Sequence, residues 1–148
     1  MQLFIGGACS GRRALVAGRF PTANWHRLTA GEEVDGWLRS HRPGLPLVVT
    51  GWLDWLQAVL VEQSDDKALR GMWRSILDAL TDAERMADTP VVLILDEMGR
   101  GVVPMTSELR RLRDLNGWLV QDAAAACEAI WYVRHGLVQR LEARESRG

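Results

Sequence analysis

The sequence predicts an α/β fold with a mostly parallel sheet, and three observations carry that expectation. Apolar runs of strand length recur at 3–5, 45–50, 90–97 and 129–135. The stretches between them have helical periodicity, and the first run ends in a glycine-rich turn that opens a helix. Strands without polar alternation belong to sheets covered on both faces, and helices between them supply right-handed crossovers.

The first run, "LFI", leads through "GGACSG" into "RRALVAGRF", a strand, a tight turn and the start of a helix. The second, "LPLVVT", is followed by "GWLDWLQAVL" and then by "KALRGMWRSILDALTDAERMAD". In the latter, Leu69, Met72, Trp73, Ile76, Leu77 and Leu80 recur at spacings of three and four, the stripe of an amphipathic helix. Ser64, Asp65 and Asp66 just before it form a helix start signal. The third run, "PVVLILDE", ends in two carboxylates. "SELRRLRDLNGWLVQDAAAACEA" then reads as a helix with Ser107 as the expected cap, followed by the last strand, "AIWYVRH", and a charged tail expected to fray. No repeat or flexible linker divides the chain, so residues 1–148 read as a single domain, long enough to bury roughly 70% of its unfolded surface.

A net charge of −1 with 25% charged residues lacks the basic excess of a nucleic-acid-binding surface. Cys9 and Cys127 have no metal-ligand spacing and read as reduced thiols of a cytoplasmic protein. No leader pattern opens the sequence, and no apolar run approaches the ~20 residues of a membrane span. Seven tryptophans run from Trp25 to Trp131, mostly as expected core residues, with Trp52 and Trp55 the best local pair for an aromatic site.

The chemistry centres on Gly6, Gly7, Ala8, Cys9, Ser10, Gly11, Arg12 and Arg13, the candidate nucleotide-binding residues. Gly6 to Gly11 has the G-x-x-x-x-G frame of a phosphate-binding loop, whose small residues let backbone N–H groups and a helix N-terminus face an anion. The next two positions ordinarily hold a lysine and a Mg²⁺-binding hydroxyl. Arg12 keeps the positive charge in a broader, planar form, whereas Arg13 puts a cation where the metal would sit. The pattern thus admits ATP or GTP and argues against Mg²⁺. Asp96 and Glu97 stand where a strand ends, the edge at which open α/β sheets bind ligands. Glu97 is the candidate metal residue, and Asp96 reads equally well as a cap or a solvated loop acid. Of the histidines, His26 reads as a partly exposed strand residue, and His41 and His135 have no sequence neighbour that suggests a catalytic pair. No catalytic residue is assigned.

These motifs resemble the bifunctional adenosylcobinamide kinase/adenosylcobinamide-phosphate guanylyltransferases of cobalamin biosynthesis. Gly6–Arg13 is similar to that family's G-G-x-R-S-G-K-S, "DEMGRGVVP" at 96–104 to its N-E-V-G-x-G-[IV]-V-P, and residues 110–142 to its R-x-F-R-D-x-x-G-x-x-N-Q, Ala-rich helix, strand and closing segment. The resemblance covers the opening loop and most of the chain from Leu45 onward. It implies a P-loop NTPase-like sheet flanked by helices, a homo-oligomer that is a trimer, and ancestry in an enzyme that phosphorylates adenosylcobinamide and transfers GMP through a guanylylated histidine. One strand–helix unit, the one carrying that histidine, has no counterpart between "ALVAGRF" and "PTANWHRLTAGEEV". At the second strand end the family's acidic residue is replaced by Thr50, with Asp54 one turn later. Kept positions include Gly99, Gly101, Pro104, Arg113, Asp114 and Gly117.

The expected function is a non-catalytic, nucleotide- or anion-binding subunit, with a cobinamide-type ligand or a protein of the pathway as partner. An active kinase lacking the guanylyl transfer step, or an empty structural oligomer, is the alternative. A static anion site at Arg12 and Arg13 fits the first reading, and Arg110, Arg111 and Arg113 read as a solvated helix face.

Overall fold

The computed structural model describes residues 1–39, 41–98 and 106–142. In chain order the elements are β1 (Gln2–Gly6), α1 (Arg12–Arg19), β2 (Asn24–Arg27), α2 (Val34–Arg39), β3 (Leu47–Thr50), α3 (Trp52–Glu62), α4 (Asp66–Ala87), β4 (Val91–Asp96), α5 (Ser107–Ala126), β5 (Ala129–Arg134) and β6 (Leu137–Leu141). The strands form one sheet in the order β2-β3-β4-β1-β5-β6. The first five are parallel, and β6 turns back antiparallel to β5.

The first three apolar runs form strands because both their faces are covered. Leu3 and Ile5 join Val49, Leu93 and Leu95 in a core beneath α3, α4 and α5, while Phe4 points the other way, to Val48, Val92, Ile94, Val133 and Val16 of α1. Successive strand residues face opposite sides, so a strand with a helix layer on each side must be apolar throughout. Trp52 and Trp73 are fully buried in the larger core, and Trp52 donates its indole N–H to the Val49 carbonyl at 3.1 Å. Trp55 is buried beside them, so the Trp52–Trp55 pair is core and not an aromatic ligand site. No helix among the described residues is long and apolar enough to cross a membrane.

Three local expectations are corrected. The cap of α5 is Thr106, whose hydroxyl accepts from Leu109 N at 3.1 Å, and Ser107 is the first helical residue. The charged tail does not fray from its start, because Leu137–Leu141 pair with Ile130–Arg134. Arg111 is not a solvated residue. It donates to Leu60 O at 2.9 Å, Gln63 O at 2.7 Å and Asp66 Oδ1 at 3.0 Å, tying α5 to the junction of α3 and α4. The expected start of α4 holds, with Asp65 accepting from Lys67 N at 3.0 Å.

The α4–α5 seam carries one well-satisfied carboxylate. Asp122 accepts from Arg70 Nε at 2.9 Å, Arg70 Nη2 at 2.8 Å and Trp73 Nε1 at 2.8 Å. The Arg70 hydrogen bonds, ahead of the opposing effect of burial and helped by Trp73, hold its carboxyl down at about 2. A carboxylate lowered on folding stabilises the fold above the ordinary carboxylate range and loses that contribution as pH falls toward 2. Asp122→Asn is therefore expected to cost about 1–2 kcal/mol at pH 7, after allowance for solvent screening. Chemical denaturation at pH 7 and near pH 2.5 checks this: the gap between variant and parent should shrink at the lower pH, and an equal gap at both refutes the ionic origin.

Candidate functional site

The site grows from the end of β1. Gly6 lies level with Asp96 of β4, and its carbonyl accepts from Glu97 N at 2.9 Å, which fixes the two acidic residues beside the loop. A Cβ on Gly6 would come within 2.5 Å of the Val133 carbonyl and 2.7 Å of Ser10 Oγ, so only glycine fits between β1 and β5 here. The chain then turns tightly: Ser10 N donates to Gly7 O at 3.3 Å, Cys9 has φ 59° and Gly11 has φ 92°. Helix α1 begins at Arg12, and its first N–H groups have no partner within the helix.

The hairpin between β5 and β6 rests on this loop. Gly136 N donates to Ser10 O at 2.8 Å, and a Cβ on Gly11 would lie 3.3 Å from the Gly136 Cα. A cleft of about 740 Å³ opens at the junction, lined by Gly7, Ala8, Cys9, Ser10, Glu97, Tyr132, Val133, Arg134, His135 and Leu141. Ser10 Oγ is buried and has no hydrogen-bond partner among the described residues. Cys9 is exposed, whereas burial pushes the distant Cys127 thiol up to about 12.

The two arginines diverge. Arg12 turns back under the loop, where Nη2 meets Asp96 Oδ1 at 2.7 Å and Nη1 donates to the Leu95 carbonyl. Arg13 is exposed. Asp96 is thus an ion-paired residue and neither a cap nor a freely solvated acid. Glu97 accepts from the Tyr132 hydroxyl at 2.7 Å. At the end of β3 Thr50 is buried, and Asp54 pairs with Arg27 on the surface. Among the described residues no group of three or more His, Cys, Asp or Glu could hold a metal.

Of the sequence candidates, Gly7, Ala8, Cys9, Ser10 and Glu97 line the cleft, and Gly6 and Gly11 pack against β5 and the hairpin turn. Gly99, Gly101 and Pro104 lie outside the described residues. Sequence reasoning missed Tyr132, Arg134 and His135, which reach the cleft because β5 pairs with β1 and its hairpin folds over the loop. The legible signal was the glycine after His135, a hairpin marker. His26 and His41 sit elsewhere. His26 stacks on Trp37 at 4.0 Å and meets Glu32 Oε1 at 2.6 Å, and His41 lies between Asn24 Nδ2 and the Leu45 carbonyl.

An interior parallel strand that runs through a glycine-rich loop into a helix, beside a strand ending in carboxylates, defines a P-loop NTPase-like α/β protein. Within that class the chain belongs to the CobU family, cobinamide kinase / cobinamide phosphate guanyltransferase, which matches residues 16–141. It is 30% identical over 81 residues to the bifunctional adenosylcobalamin biosynthesis protein CobU of Escherichia coli, covering 55% of this chain and 45% of that relative. It is 33% identical over 81 residues to the Salmonella typhimurium CobU, with the same coverage. The bifunctional adenosylcobalamin biosynthesis protein CobP of Pseudomonas aeruginosa is 31% identical over 121 residues, 81% of this chain and 67% of that relative. The chain therefore spans under half the length of the two enteric relatives.

Proposed function

We propose that this chain is a non-catalytic member of its family that binds a phosphate-bearing ligand, a nucleotide such as GTP or ATP, in the cleft at Gly6–Gly11. The observation that carries the reading is the Arg12–Asp96 ion pair. In a loop of this class the cation after the last glycine reaches for the β- and γ-phosphates, and the strand-end carboxylate organises Mg²⁺. Here each is engaged with the other, Arg13 offers no oxygen donor, and Glu97 is held by Tyr132. This donor set does not fit Mg²⁺ in the usual geometry. It does fit a static anion site built from backbone N–H groups, the N-terminus of α1, the unpartnered Ser10 hydroxyl and the exposed Arg13. The reading extends to a cytoplasmic homo-oligomer, trimeric as the resemblance implies. Its partner is a cobinamide-type ligand or another protein of cobalamin biosynthesis.

Calorimetric titration with ATP and GTP, each with and without Mg²⁺, tests it. Binding of equal strength with and without the metal is the expected result; binding strengthened by Mg²⁺ overturns it. The second reading, an active kinase acting on a cobinamide-type substrate, is favoured by one observation: Asp96 and Glu97 both flank the loop at the carboxyl edge of β4. Mg²⁺-dependent binding followed by phosphate transfer to cobinamide would establish it.

A further inference from the structure

We infer that His135 is a phosphate-contacting residue of this cleft, its imidazolium supplying the movable positive charge that Arg12, turned toward Asp96, does not. The inference rests on the proposal that the cleft binds a phosphate-bearing ligand. His135 is placed by backbone geometry. Arg134 pairs with Leu137, so His135 and Gly136 form a two-residue hairpin loop, with φ 51° and 73°. Two successive residues of positive φ make the turn whose twist matches a hairpin, and histidine is among the residues that tolerate that backbone. The Gly136 N–H to Ser10 O bond of 2.8 Å then pins this turn to the phosphate loop, and His135 lines the cleft together with Gly7, Ala8, Cys9 and Ser10.

Among the described residues, the charged and titratable groups around it come from four places. From β5 come Arg134 and Tyr132, whose hydroxyl is bonded to Glu97. From the end of β4 come Glu97 and Asp96, the latter paired with Arg12. From the loop comes Cys9, and from the start of α1 the exposed Arg13. Among these described groups His135 supplies the imidazole, the side-chain type that can donate as a neutral ring or carry a charge as an imidazolium.

The experiment is calorimetric titration of the full chain with GTP, without Mg²⁺, at pH 6 and pH 8, for the parent and for His135→Asn. Asparagine suits positive φ and keeps the turn but cannot take a proton. Thermal melts of both proteins confirm that the fold is unchanged. The γ-phosphate's own protonation affects both proteins alike. The expected result is a variant that matches the parent at pH 8 and binds about fivefold more weakly at pH 6, the worth of one added charge at a half-open anion site. A variant whose pH response equals the parent's, or which weakens equally at both values, overturns the role of His135 and leaves the cleft assignment standing. A parent that binds no GTP at either pH overturns both.

Discussion

Arg12→Lys with Arg13→Ser is expected to convert metal-indifferent nucleotide binding into Mg²⁺-dependent binding, with affinity for GTP or ATP rising at least ~10-fold when Mg²⁺ is added. The lysine would present a compact ammonium to the β- and γ-phosphates and would not reproduce the planar two-point hold on Leu95 O and Asp96. Asp96 would then be free to orient the metal's water shell, and the introduced serine would offer the hydroxyl that Arg13 lacks. Calorimetry of parent and double variant side by side checks this. If the variant stays indifferent to Mg²⁺, the arginines are not what keeps the metal out.

Trp73→Ala is expected to lower stability by about 4 kcal/mol, because it empties the volume of a fully buried indole at the centre of the larger core. It also removes the donor to Asp122 Oδ2 at 2.8 Å, leaving the Arg70 contacts to hold that carboxylate. For a chain of this length the melting temperature should fall by roughly 8–16 °C. Trp25→Ala, at a residue 41% exposed on the edge strand, should shift it by only ~1–2 °C. Comparable shifts for the two would show that the tryptophans do not divide into core and surface as described.

Both predictions trace to the same division. The helices on one face of the sheet, α3, α4 and α5, carry most of the core and depend on periodicity alone. The carboxyl edge, with the loop, the strand-end acids and the hairpin turn, forms the cleft and depends on a few side chains. Changes at Arg12 and Arg13 are therefore expected to act on the loop while leaving the core to hold the fold.

How far the sequence could be read follows from where each residue's partners lie. β1, β3 and β4 were legible because a strand covered on both faces must be apolar along its length, β5 from its β-branched and aromatic residues before a glycine, and α4 because its stripe recurs at three and four. β2 was legible only as strand-like, since it lies at the sheet edge with alternating exposure. The six-residue α2, and β6, whose every residue is exposed, carry no strong period. The glycine frame and the two departures from it stood in the sequence itself, because a tight strand-to-helix turn demands small residues locally.

What the arginine does was not legible. That Arg12 bonds Asp96, that Tyr132 holds Glu97, that Arg111 locks a helix junction and that His135 lies over the loop all depend on strands and helices distant in sequence. By itself the sequence determined the α/β alternation, the loop and the loss of its usual lysine and hydroxyl, since these rest on local backbone preference and on periodic burial. Tertiary structure alone decided which charges meet and which side chains line the cleft, because parallel pairing brings β4 and β5 to either side of β1 and so joins residues that no spacing relates.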